Sequence, residues 1–426
     1  MNKLSKVAHC LLLLLLFSTV NLSAQVSQRD RIEIFSKVWE TINKKYYDPH
    51  FNGTDWNKMR EIYRPRIETA KDDGEFYSLV KQMIDELRDI HTSFRTAQEI
   101  QAAKLHQAIG VGLQIGEIEG KAVIFGVAAD SEAAKAGVQP GMILTQIEGR
   151  DTAEVLAEKR AAIKSSSANA VSRLAYGRLL GGAVNTAVRL NLLDLNGQSK
   201  EVTLTRRAYN STTLTEPQFS SQRLPSNIGY IRFDEFNDLM GKQYKKALAE
   251  LKDTNGLVID LRFNHGGSQF VLEEMAETLL AEKVSFGTTK TRSGKMPKFL
   301  GITLIPKETF IGGDSKKNYS APIVILMSNY SASSAEHFAA GLQESGRAKI
   351  LGEQSCGCML GIMGRTKIKG GELYLSQLDF LTAKGKRIEG IGVTPDITIK
   401  LTISDARTGF SRAINEAEKL LIALRE

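Results

Sequence analysis

Cysteine is scarce in this sequence: there are three in 426 residues, at Cys10, Cys356 and Cys358. The last two form a Cys-x-Cys pair whose closed ring would be tiny and strained, so a labile bridge and two free thiols both stay open. No histidine lies near them and no metal-ligand spacing follows, so no zinc site and no cofactor is expected. Nor does the pair sit in a recognisable redox-fold context, which argues against a thiol enzyme. Beyond the N-terminus no run reaches the roughly 18 apolar residues a membrane helix needs. No block of lysine or arginine appears, and a formal charge of +8 is mild for this length, so nucleic acid is not an expected partner. No fixed-period repeat or long low-complexity tract interrupts the chain. With 42% hydrophobic and 24% charged residues the composition is that of ordinary globular protein.

The first 24 residues read as an export signal. Lys3 and Lys6 supply a positive start, "CLLLLLLF" (10–17) an apolar segment too short to span a bilayer, and "LSA" before Gln25 a small-x-small cleavage site. Cleavage removes two lysines and no acid, which lowers the charge from +8 to +6. The mature protein is expected to be exported, periplasmic or secreted, without stable membrane insertion.

The remainder divides by pattern. Residues 25–100 read as helical, with Ile32, Ile34, Phe35, Val38, Trp39 and Ile42 recurring at spacings of three and four. Residues 101–206 change character: "AIGVGLQIGEIEGKAVIFGV" alternates like paired strands, and "SEAAKAGVQPGMILTQIEGRD" (131–151) reads as a short helix, a Gly-x-x-Pro-Gly turn and a strand. From 207 to 426, near-continuous apolar strands alternate with amphipathic helices: "IGYIRF", "GLVIDLRF" and "PIVILM" are each followed by helical spacing. That is the signature of an α/β core with a largely buried sheet.

Three stretches fall where those strands end, the edge at which open α/β sheets hold ligands. "SNYSASSAEHF" (328–338) places four serines at a helix start, where unpaired N–H groups and a partial positive charge favour an oxyanion. Helix physics alone is equally served by Ser331, Ser333 and Ser334 as caps. "DLRFNHGG" (260–267) ends in a double glycine whose N–H groups could approach a ligand, or simply turn the chain. "KRIEGIGVTPDITI" (386–399) carries Glu389, which on spacing alone reads as a solvated surface acid.

Together these stretches, with the 107–151 pattern, resemble the C-terminal processing (tail-specific) serine peptidases over roughly residues 30–400. The resemblance implies an α/β ClpP/crotonase-like peptidase core, an inserted PDZ-like β-rich domain and an N-terminal helical region. It implies a serine endopeptidase acting on proteins or peptides, with Ser333 as nucleophile and the amides of Gly266 and Ser334 as oxyanion hole. The loop Gly110, Val111, Gly112 and Leu113 would receive a substrate's terminal carboxylate, and His265 and Gly267 would also contact substrate. One branch of the family uses a lysine 25 residues after the nucleophile; here that position is Cys358, and Lys367 and Lys369 lie farther on. The other branch, with the tricorn core protease, uses histidine and glutamate. "LRDIHTSF" then offers His91 as general base, with Ile90 where the branch has glycine, and Glu389 as its partner. That branch links the two through a serine beside the histidine; none precedes His91, and Thr92 or Ser93 could substitute. His337, four residues from Ser333, and His265 are rival bases, while His50 and His106 read as surface residues. The missing lysine keeps an inactive, peptidase-like PDZ binding protein as the alternative, and oligomeric state stays open.

Overall fold

A computed structural model describes residues 26–105, 107–210, 219–299, 302–303, 305–313 and 318–425. The expected export signal and His106 lie outside these. Three helices open the described residues, α1 (Gln28–Lys45), α2 (Trp56–Glu68) and α3 (Asp73–Asp85), each started by a serine or aspartate whose side chain accepts a backbone N–H. Strand β1 (Ser93–Thr96) follows within the region read as helical.

Residues 107–210 form an insert on a two-stranded neck, in which β2 (Gln107–Gly110) runs antiparallel to β8 (Arg207–Asn210). Its sheet is antiparallel throughout, in the order β3 (Leu113–Ile118), β4 (Lys121–Val127), β5 (Ile143–Ile147), β6 (Ala187–Leu193), β7 (Ser199–Thr205). Helix α4 (Ala168–Gly177) packs against β3, the edge strand. The returning strand β8 runs to Asn210, so the insert closes a few residues beyond the expected boundary at 206.

The core sheet contains β9 (Phe219–Arg223), β10 (Gly229–Phe233), β11 (Leu257–Asp260), β14 (Ile323–Met327), β15 (Ala348–Gly352) and β18 (Ile397–Thr398). All pairs but β9–β10 are parallel. Every residue of β11 and β14 is buried because both faces are covered. Ile323, Ile325 and Met327 face α5 (Asp238–Glu250), α6 (Gln269–Glu277) and α7 (Ser334–Glu344). Val324 and Leu326 face the other way, onto Ala413, Ala417 and Leu421 of α8 (Ser411–Ala423), spaced one turn apart.

A second, antiparallel sheet joins β1 to β17 (Gly371–Leu381), β12 (Val284–Thr291) and β13 (Glu308–Ile311), with β16 (Leu360–Ile368) also on β17. Phe94 of β1 and Leu373 and Leu375 of β17 pack into one core with α1, α2 and α3. The N-terminal segment is thus part of the peptidase body rather than a separate helical unit, which fixes the turn before β1 against the C-terminal half.

Ile325 is fully buried in the central strand. Ile325→Ala is expected to cost about 2–5 kcal/mol through lost burial and the cavity left behind, read as a lowered midpoint in denaturant unfolding.

Candidate active site

Strand β14 ends at Met327, and the serine-rich loop leads directly into α7. Three of its serines are consumed by the scaffold. Ser328 Oγ donates to the Arg262 carbonyl, Ser331 Oγ to that of Leu261 at 2.8 Å and Ser334 Oγ to that of Gly267 at 2.8 Å. Ser333 differs. It is half-buried, its hydroxyl donates to no group among the described residues, and its backbone sits at φ 56°, ψ −122°. A non-glycine residue there carries roughly 1–3 kcal/mol of strain and persists only where its surroundings enforce it. This strand-to-helix elbow is a geometry that presents a hydroxyl at the sheet edge.

The enforcement is visible. The Ser333 amide donates to the Cys358 carbonyl at 2.9 Å and to Glu336 Oε2 at 2.9 Å. Glu336 is fully buried and also accepts from Gly357 N (2.7 Å), Cys358 N (2.9 Å) and Ser355 Oγ (2.5 Å). Burial pushes its pKa up, against the pull of these donors. Gly266 lies so close that a Cβ there would come within 2.6 Å of Ser333 Cβ. The Gly266 amide donates to Asn264 Oδ1 at 2.8 Å, within its own loop. Among the described residues, the amides of Gly267 and Ser334 have no acceptor.

Position 358, where the lysine branch would place its base, belongs to a buried disulfide between Cys356 and Cys358. Lys369 pairs with Asp30 of α1 at 2.7 Å, and Lys367 lines a hollow with Glu33 and Lys37 of that helix. Both lysines are engaged on the α1 side.

His91 follows α3 in a turn built on Asp89, which accepts from the His91 amide at 2.8 Å and from Thr92 Oγ1 at 2.5 Å. Thr92 Oγ1 in turn accepts from the Ser376 amide at 3.0 Å, so this hydroxyl braces the turn. The His91 ring is partly buried, and its buried Nδ1 lies 3.8 Å from Asp89 Oδ1 without a hydrogen-bond partner among the described residues. Burial holds its pKa below the usual value; Asp89 opposes this and Arg173 adds to it. Ile90, the preceding residue, packs on Ala332, Cys356, Cys358 and Ala170, so the histidine turn and the serine elbow share one apolar patch.

Glu389 is buried, not the solvated acid that spacing alone indicated. Its Oε1 accepts from Ser166 Oγ at 2.5 Å and its Oε2 from the Met359 amide at 2.6 Å. Burial pushes its pKa up to about 7, with Asp89 adding to the rise and Ser166, Met359 N–H and Arg387 opposing it. The other histidines are engaged elsewhere. His337 Nε2 donates to the Phe286 carbonyl at 2.9 Å, and Nδ1 lies 3.1 Å from Gln269 Oε1. His265 Nδ1 donates to the Asp234 carbonyl at 2.6 Å.

A cavity of about 920 Å³ lies between insert and core. Gly110, Val111, Gly112 and Leu113 line it from the insert with Arg173 and Leu174 of α4; His265 and Tyr330 line it from the core. Five of the six expected substrate contacts therefore meet in one space. Gly267 is not among its lining residues, and neither are Ser333, His91 and Glu389.

The family model for peptidase family S41 matches residues 227–399, and that for the tricorn protease C1 domain matches residues 27–85. The carboxyl-terminal-processing protease of Synechocystis sp. is 25% identical over 403 residues, covering 92% of this chain and 87% of its own. Residues 227–399 are thus a peptidase family S41 domain. The protein is a serine-type peptidase of the C-terminal processing kind. The S41 fold is seen again in mature CPAF complexed with lactacystin, at 15% identity and TM-score 0.72 over 93% of this chain and 99% of that one. The tricorn protease shares it at 17% identity and TM-score 0.52, over 94% of this chain and 37% of that one. Residues 165–167, which reach Glu389 and the disulfide loop, had no assigned role in the sequence; three serines ahead of a helix were the available signal.

Because the Glu389 pKa is raised from 4.5 to about 7, the folded S41 peptidase binds that proton more tightly than the unfolded chain. Its contribution is complete below the unfolded value and is lost as pH rises through about 7. Glu389→Gln is expected to remove about 2 kcal/mol of that fall between pH 4.5 and 7. The depressed histidines contribute slopes of opposite sign to both proteins, so the difference between the two unfolding series isolates Glu389.

Proposed function

We propose that this S41 peptidase is exported and cleaves proteins or peptides with Ser333 as nucleophile and His91 as general base. One observation carries the assignment: among the described residues, of four serines in the loop Ser333 alone has a hydroxyl that donates to no protein group, on a strained elbow beside two amides without acceptors. In the reaction the Ser333 hydroxyl attacks the scissile carbonyl while His91, neutral near pH 7, takes its proton. The Asp89 side favours the Nδ1–H tautomer, leaving Nε2 to act. The amide of Ser334, with one from the Gly266–Gly267 pair, stabilises the oxyanion; the free amide at Gly267 makes it the better donor. His91 then returns the proton to the leaving amine, and water hydrolyses the acyl-enzyme by the same steps. Glu389, near Asp89, assists in holding the histidine turn.

The insert acts as a PDZ-like reader of chain ends. Among the described residues strand β3 has a free edge, α4 lies beside it, and the Gly110–Leu113 loop opens into the shared cavity. A substrate tail added along β3 would present its carboxylate to that loop and an apolar side chain to Leu174. Export rests on the N-terminal charge, apolar run and cleavage pattern; among the described residues no helix is long and apolar enough to cross a membrane.

A fluorophosphonate probe is expected to label the protein, to fail with Ser333→Ala, and to label Ser334→Ala, which keeps its amide. No labelling of the folded protein is the outcome for a peptidase-like binding protein without activity. His91→Ala is expected to slow turnover on the order of 10²–10⁴-fold, with His337→Ala near normal; the reverse pattern rejects His91. The pH profile should rise through a limb below the usual histidine value of about 6.5, the direction in which burial moves His91.

A further inference from the structure

We propose that Ser166, contributed by the insert, is a positioning residue of the active site, its hydroxyl holding Glu389 in the orientation that serves His91. The inference rests on the reading of Ser333, His91 and Glu389 given above.

Glu389 is buried on a loop and receives two donors from different parts of the chain. The Met359 amide comes from the core, beside the disulfide. The Ser166 hydroxyl comes from the segment that leads into α4, 223 residues away in sequence. Ser166 is itself held on the other side: its amide donates to the Arg88 carbonyl at 2.9 Å, three residues before His91. One residue thus grips both the histidine turn and the glutamate. Gly390 lies alongside, at φ 81°, where backbone conformation favours glycine; a Cβ there would sit in ordinary contact with Ser166, 3.4 Å from its carbonyl oxygen.

The neighbouring residues make this segment a fitted part rather than a free linker. Ser167 Oγ donates to the Cys356 carbonyl and accepts from the Ala170 amide as the cap of α4. Asn169 Nδ2 donates to the Ser355 carbonyl at 2.9 Å, and Lys164 pairs with Glu86 at 2.7 Å. A hydroxyl-to-carboxylate hydrogen bond is of the stronger, charge-assisted kind, and it fixes one oxygen in direction as well as distance. It also favours the ionised form of Glu389, against burial and the facing charge of Asp89 and alongside Arg387; the hydroxyls of Tyr46 and Tyr47 complete the surrounding groups.

The test is the rate of fluorophosphonate labelling of the full chain against pH, with the folded fraction checked by thermal unfolding. Ser166→Ala is expected to label about tenfold more slowly at pH 7, the worth of one charge-assisted hydrogen bond. The limb of its profile set by Glu389 ionisation, near pH 7 and above that of His91, should move to higher pH, because Glu389 loses the donor that favours ionisation. Ser166→Thr keeps the hydroxyl and should restore rate and limb. A Ser166→Ala protein with wild-type rate and limb overturns the proposal. So does a slowed one whose limb is unmoved and which threonine does not rescue, since that is a structural role. Glu389→Gln and His91→Ala in the same series separate the two levels. If both label normally, the site reading itself fails; if both are slow while Ser166→Ala is not, only the role of Ser166 does.

Discussion

The site depends on one buried carboxylate. Glu336 sits in the first turn of α7 with no exposed surface, and it collects donors from the Ser333 amide, from two amides of the disulfide loop and from Ser355. Ser333 stands at positive φ, which costs roughly 1–3 kcal/mol in isolation. Hydrogen bonds to a charged acceptor contribute about 1.5–3 kcal/mol each, so the Glu336 cluster is of the size needed to hold the elbow in place. The same cluster explains why the 356–358 loop lies beside the elbow: Ser333 N donates to its carbonyl, and Cys356 N donates to that of Ser331. The serine and the loop are two sides of one hydrogen-bonded unit, which is where the lysine branch of the family would have its base.

Much of this was legible in the sequence because it is local. The apolar runs 256–261 and 322–327 carry no polar alternation, and both became central strands covered on both faces. The elbow was marked by small residues between a strand and a helix. Glu389 was misjudged from spacing because the groups around it, Met359, Ser166 and Tyr46 and Tyr47 just after α1, are distant in sequence. Strand β1 was hidden inside a helical pattern because only pairing with β17 makes four residues into a strand. Ser166 and Ser167 look like linker composition, and their role appears only when the insert is folded back onto the core.

The division of labour follows from chain topology. The parallel sheet supplies the elbow and the double-glycine loop at neighbouring strand ends. The antiparallel sheet, sharing its core with the N-terminal helices, carries the histidine turn to the same place. Apolar packing sets the coarse position of each piece, and the polar contacts of Asp89, Glu336 and Glu389 set orientation.

The two-stranded neck has a mechanical consequence. Chain enters and leaves the insert through β2 and β8, which are adjacent and hydrogen-bonded. Covalently the insert hangs on that neck alone; its seating on the core comes from side-chain contacts, Phe125 on Phe263, Tyr330 and Phe410 among them. The far contacts of 164–169 with Glu86, Arg88, Cys356 and Glu389 act as a latch opposite that neck. Any displacement of the insert about that neck would have to break these contacts, Glu389 and the Arg88 turn among them.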